Sequence, residues 1–214
     1  MGIPNQFTVI SDGSYTESSC NLLRQIHPCV EVLPLEQLKR TDLPKCVYDY
    51  AAQHSMGRKL LTLLSLPIQG ATIYTDSDIL FFPGASDLVN LTNSDNSSSL
   101  YLPDCAKMDE RVIYDDLEKL NPVNGGFIIF KEPLDWSLAL ERLSKLKELN
   151  HYFTEQTLVH LTMHYNQAKP LCSKRYVLNV EDQFIYPDKY ASQEIALRHY
   201  VNDVRHKLWL NVGV

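Results

Sequence analysis

No stretch of this 214-residue chain approaches the roughly 20 consecutive apolar residues that a membrane helix requires, so no transmembrane segment is expected. Cations are scarce too. With 20 Lys and Arg against 26 Asp and Glu, the net charge is −6. A broad nucleic-acid surface needs clustered cations and is therefore not expected, although a local anion site needs only one or two of them and a metal. The opening MGIPNQFTVISDGS has neither a basic leader nor a long apolar run, so no signal peptide is expected. Met1-Gly2 opens like a myristoylation signal, but Gln6 stands where such a signal carries Ser or Thr. Cysteine is sparse and unpatterned. Cys20, Cys29, Cys46, Cys105 and Cys172 form no C-x-x-C pair, which excludes a zinc ribbon and a disulfide framework. Reduced thiols in a cytoplasmic protein are the expectation. Asn90-Leu91-Thr92 and Asn96-Ser97-Ser98 then read as chance matches to glycosylation acceptors.

What is present is ordinary globular material. The hydrophobic share is 44% and the charged share 21%, with no repeat and no linker, so 1–214 reads as one domain. Phe7 to Ile10 is a short β-rich run that ends in the turn residues Ser11-Asp12-Gly13-Ser14. Ser14 and Glu17 have capping-box spacing for a helix through Asn21 to Gln25. Val30 to Leu33 reads as the next strand. Cys46 to Ser65 has a helical period that Pro67 stops. Ala71 to Thr75 is the clearest strand, and its composition predicts burial on both faces. A polar loop spans 93–99, Gly126 to Phe130 is another buried strand, and helices are expected around Trp136 to Leu146 and Thr154 to Tyr165. Alternating strands and helices imply an α/β domain with a mainly parallel sheet flanked by helices.

The stretch that carries chemistry is Thr75-Asp76-Ser77-Asp78-Ile79-Leu80-Phe81-Phe82. In extended chain Asp76 and Asp78 project to one side while Ser77 faces away. Two carboxylates so close repel one another, and a divalent cation relieves that repulsion. Hard oxygen ligands suit magnesium or manganese. A solvated surface turn is the competing explanation. The pair is the only Asp-x-Asp in the chain and follows its best strand, where α/β sheets place ligands.

This segment resembles the DxD motif of GT-A nucleotide-diphospho-sugar transferases, whose metal bridges the two donor phosphates. Three more features follow in that superfamily's order. Asn124-Gly125-Gly126-Phe127 resembles the strand beside the donor sugar, and Glu155-Gln156 resembles the helix start near the acceptor and reacting centre. His199, with Asn202, Arg205 and Trp209, is similar to the C-terminal His-x-x-Gly-x-x-Lys-Pro-Trp signature of glycogenin-like and galactosyltransferase-like families. Asn202 replaces its glycine, His206 its proline, and the Trp is displaced by two positions. The resemblance spans roughly Phe7 to Trp209. It implies a GT-A-like, Rossmann-like fold with a shortened N-terminal unit, whose base-binding part falls to Phe7–Asp12 if it is present.

On that basis the expected metal ligands are Asp76, Asp78 and His199. The expected donor-binding residues are Asp12, Lys59, Asp76, Ser77, Gly125, Gly126 and Arg205, and the expected catalytic residues are Glu155, Gln156 and Asn124. Each has a plainer explanation. Arg58 and Lys59 suit a solvated helix turn, Asp12-Gly13 a βα turn, Asn124 to Gly126 a strand entry, Glu155 a helix-dipole charge and His199 a structural histidine. The implied activity is transfer of a sugar from a nucleotide-diphosphate donor, with Mn2+ or Mg2+, to a hydroxyl on a glycan, lipid or small molecule. The similarity at His199 leans towards retention of configuration. A catalytically inactive sugar-nucleotide-binding module and a metal-dependent phosphate-transfer enzyme are the alternatives.

Overall fold

The computed structural model describes residues 4–94, 97–104, 107–149 and 151–212. Met1-Gly2, Asn96 and Cys105 lie outside the described residues.

The chain opens with β1 (Phe7–Ser11), α1 (Glu17–Ile26) and β2 (Val30–Pro34). β1 and β2 pair in parallel from Phe7 opposite Val30 to Ser11 opposite Pro34, so Phe7–Asp12 belongs to a βαβ unit. The cap of α1 is Thr16, whose side chain accepts from Ser19 N, and not the expected Ser14. Ser14 N instead donates to Asp12 Oδ1 and shapes the turn after β1.

The single helix expected over Cys46–Ser65 is broken. After the short α2 (Leu35–Leu38) come α3 (Lys45–Gln53) and α4 (Ser55–Ser65), separated by His54 in extended conformation. His54 Nδ1 accepts from Met56 N and caps α4. The two helices meet so closely at Gly57 that a Cβ there would lie 2.3 Å from the Tyr50 carbonyl. An apolar period continues through such a break and so hides it.

β3 (Thr72–Thr75), β4 (Ile79–Phe81), α5 (Leu88–Asn93), β5 (Leu100–Pro103), β6 (Val123–Phe130), α6 (Ser137–Ser144), α7 (Thr154–Tyr165), β7 (Lys169–Pro170), β8 (Tyr176–Val177), β9 (Leu197–His199) and α8 (Leu208–Asn211) follow. The largest sheet has the order β3-β6-β5-β7, with β6 antiparallel to both neighbours and β7 parallel to β5. A second sheet, β4-β9-β8, is also mixed. The fold is α/β, but the expected mainly parallel sheet gives way to mixed sheets. Composition reports how many faces of a strand are covered and says nothing of its direction. β6 is the doubly buried strand, with all eight residues covered. Ile128 and Phe130 pack with Leu63, Val159 and Met163 on one side, while Phe127 and Ile129 pack with Ile79, Leu102 and Leu197 on the other. β3, expected to be covered on both faces, is instead an edge strand that leaves Ile73 38% exposed.

A buried charge cluster anchors the C-terminal segment. Arg198 is fully buried between Asp182 and Asp188, and Lys207 reaches Asp182 at 2.8 Å. The Tyr190 and Tyr200 rings flank the guanidinium at 5.1 Å each. Cys20, Cys29, Cys46 and Cys172 are free thiols, and no helix among the described residues is long and apolar enough to cross a membrane.

Candidate metal centre

Asp76, Ser77 and Asp78 form the junction between the two mixed sheets. Asp76 N donates to Gly126 O at 2.8 Å, continuing the β3–β6 ladder by one residue. Asp78 O accepts from Tyr200 N at 2.8 Å, which joins it to the β9 end. The backbone is thus held on both sides, Ser77 is exposed, and one oxygen of each carboxylate lies within 4.8 Å of the other and of a His199 ring nitrogen. His199 Nε2 stands 3.0 Å from Asp78 Oδ1 and 4.0 Å from Asp76 Oδ2.

Asn124 sets which nitrogen of His199 is available. Its Nδ2 donates to Asp104 Oδ2 at 3.2 Å, and its Oδ1 accepts from Gly126 N at 2.9 Å. Oδ1 therefore faces His199 Nδ1, 2.9 Å away, as an acceptor, and Nδ1 carries the proton. This tautomer is assigned from the hydrogen-bond network. Nε2, 3.0 Å from Asp78 Oδ1, donates to that carboxylate, and once it yields this proton its lone pair is directed at the two aspartates, the arrangement a metal-binding histidine needs.

The glycines make room. Between the Tyr101–Ile128 and Leu102–Asn124 pairs, the β5–β6 register shifts, and Gly125 to Phe127 bulge out of the ladder. A Cβ on Gly126 would sit 2.3 Å from His199 Cε1, and one on Gly125 would sit 3.0 Å from Glu155 Oε1.

Charge is distributed unevenly. Burial alone would raise the Asp78 carboxyl, but the hydrogen bonds and charges of His199 and of Arg205, at 2.6 Å, hold it down to about 2. Asp76 Oδ2 accepts from Lys59 Nζ at 2.7 Å, and Asp76 Oδ1 accepts from the Tyr74 hydroxyl at 2.8 Å. Burial would lower the Lys59 ammonium, yet Glu155 and Asp76 keep it well above its ordinary value. Glu155, in the first turn of α7, is 2% exposed, and its Oε1 has no hydrogen-bond partner among the described residues. Burial pushes its carboxyl up to about 7, and Lys59, 3.9 Å away, only partly offsets this because it bonds Asp76 instead.

A cleft of about 220 Å³ adjoins the centre, lined among others by Asp12, Ser55, Arg58, Lys59 and Tyr74. Lys59 and Tyr74 are also the partners of Asp76, so these two side chains link the cleft wall to that aspartate. Asp12 and Arg58 lie 3.7 Å apart, both about half exposed. Hydrogen bonds from Ser14 lower the Asp12 carboxyl. Gln156 points elsewhere and donates to Lys107 O at 3.3 Å. Tyr74 and Asp104 complete the arrangement but were not among the residues singled out from the sequence. Tyr74 stands two residues before Asp76 in a strand, and that alternation is a local sign that the pair shares a side. No protein-family model matches the chain, and a search of curated proteins returns no relative.

Proposed function

We propose that the chain is a metal-dependent glycosyltransferase of GT-A type. It moves a sugar from a nucleotide-diphosphate donor to a hydroxyl acceptor, with Mn2+ or Mg2+ held by Asp76, Asp78 and His199. The observation that carries this reading is the convergence of those three side chains, with the ring nitrogen freed by Asn124. Two carboxylates and one imidazole make a donor set suited to these cations. A cation so held supplies Lewis-acid stabilisation of the negative charge on the departing diphosphate.

The chain's own residues supply the rest. Arg205 and Lys59 add positive charge near the aspartates, where the leaving group gathers negative charge, and one such group often contributes about 3 kcal/mol to transition-state stabilisation. Asp12 and Arg58, in the cleft away from the aspartates, offer a carboxylate and a guanidinium to the nucleoside part of the donor. Gly125 and Gly126 keep backbone close to the sugar, and Asn124 works by orienting His199. Buried Glu155 stands on the acceptor side by resemblance, as does Gln156.

The test is a panel of nucleotide-diphosphate sugars offered with hydroxyl acceptors, with and without Mn2+. Metal-dependent transfer supports the reading. Phosphoester cleavage without sugar transfer would favour a phosphate-transfer enzyme, and nucleotide-sugar binding without turnover an inactive module. Asp78→Asn should abolish both Mn2+ binding and transfer while leaving the circular dichroism spectrum and cooperative unfolding intact. Full activity in the presence of chelator overturns the reading.

A further inference from the structure

Both oxygens of Asp76 are engaged by protein groups: Oδ1 by the Tyr74 hydroxyl and Oδ2 by Lys59 Nζ at 2.7 Å. Oδ2 is also the oxygen of Asp76 that lies 4.0 Å from His199 Nε2. A dication entering between Asp76, Asp78 and His199 therefore meets an ammonium of like charge on one of its own ligands. Like charges at such separation in a partly buried site repel strongly. Tyr74 offers no escape for that charge, because its hydroxyl is already committed to Asp76.

Glu155 does offer one. Its Oε1 is buried, lacks a hydrogen-bond partner and stands 3.9 Å from Lys59 Nζ. Closing that gap to the roughly 2.9 Å of a hydrogen bond needs a shift of about 1 Å, well within the reach of a flexible lysine stem. Gly125 presents no side chain to the same oxygen, which a Cβ there would approach to 3.0 Å.

The geometry points to Lys59 as a displaceable internal cation: it holds Asp76 while the centre lacks metal and passes to Glu155 when a divalent cation binds. This rests on the metal reading above. Lys59 and Glu155 are here positioning residues, which act on the cation through Asp76. The exchange lets the site keep its aspartates neutralised when empty and release Asp76 Oδ2 when filled. Glu155 is the group that receives the displaced charge in a buried place where an unpaired ammonium would be costly.

Mn2+ titration by calorimetry on the full chain, with four proteins, tests it. Lys59→Met should bind Mn2+ more tightly than wild type, because the competitor is gone. Glu155→Gln should bind about tenfold more weakly, because Lys59 has no anion to move to. In the Lys59→Met background, Glu155→Gln should change affinity by less than about twofold. An equal loss in both backgrounds overturns the exchange, since Glu155 would then act on the cation through its charge alone. Absence of Mn2+ binding in wild type would instead overturn the metal reading itself. If Lys59→Met does not fold, a crystal structure of wild type with Mn2+ decides: Nζ on Glu155 Oε1 supports the exchange, and Nζ still on Asp76 Oδ2 overturns it.

Discussion

Replacing Gly126 by alanine adds one methyl group at the most crowded point of the metal centre. An ideal Cβ there lies 2.3 Å from His199 Cε1, 2.8 Å from His199 Nδ1 and 2.7 Å from Asn124 Oδ1. His199 cannot retreat, because it is 4% exposed and held at Nδ1 by Asn124 and at Nε2 by Asp78. Gly→Ala in a strand by itself stabilises by roughly 0.5–1 kcal/mol, so any net loss measures the clash. Overpacking of a well-filled site costs about 1–3 kcal/mol, and for a chain of this size a net loss of about 2 kcal/mol lowers Tm by about 4–8 °C. Gly125→Ala is the internal control. Its Cβ would lie 3.0 Å from Glu155 Oε1 and 3.6 and 3.7 Å from the Val159 methyls, so its tightest contact is milder than any of the three at Gly126. Urea unfolding and Mn2+ titration of both variants are the assays. Gly126→Ala should lose stability and at least tenfold in Mn2+ affinity, as expected when a ligand's orientation is lost, while Gly125→Ala, which disturbs Glu155 and leaves His199 in place, should lose less of both. Equal behaviour of the two alanine variants would refute the argument from His199 packing.

Asn124→Ala removes the acceptor that fixes the His199 tautomer, so Mn2+ affinity should fall about 10–100-fold; unchanged affinity would mean that the ring orients itself. The Glu155 carboxyl, with an ordinary value of 4.5 and a folded value near 7, binds more protons in the folded than in the unfolded chain across that window. Stability without added metal should therefore fall as pH rises from about 4.5 to about 7, by at most about 3.4 kcal/mol from this group. Glu155→Gln should flatten that part of the curve, and parallel curves for the two proteins would contradict it. Arg198→Met strands Asp188 without its buried partner, and urea denaturation should show a loss of about 3–5 kcal/mol. A loss under about 1 kcal/mol would show that the cluster is not what anchors the tail.

The parts of this structure that could be read from the sequence are those set by neighbours along the chain. Asp76 and Asp78 stand out because a close carboxylate pair beside a β-rich run invites a cation, and α7 spans the Thr154–Tyr165 expected of it. Strand direction was not legible, since β6 has the composition of a central parallel strand yet runs antiparallel to both neighbours. Nor was the break at His54, where a capping side chain interrupts a period that continues on either side. The partnership of Asn124 with His199 joins residues 75 apart, and only the resemblance brought them into one argument. The Arg198 cluster leaves no trace at all, because ion pairs between distant residues impose no period on the chain.

The long separation of Asp78 from His199 and Arg205, by 121 and 127 residues, has a consequence for biogenesis. Domains emerge from the ribosome N-terminus first. The aspartates precede β9 and the helical turn after it by more than 100 residues, so neither His199 nor Arg205 can stand beside them until that later stretch has been made. On the metal reading proposed above, the ligand set is complete only once His199 has been made, and an earlier folding intermediate would meet a cation with carboxylates alone.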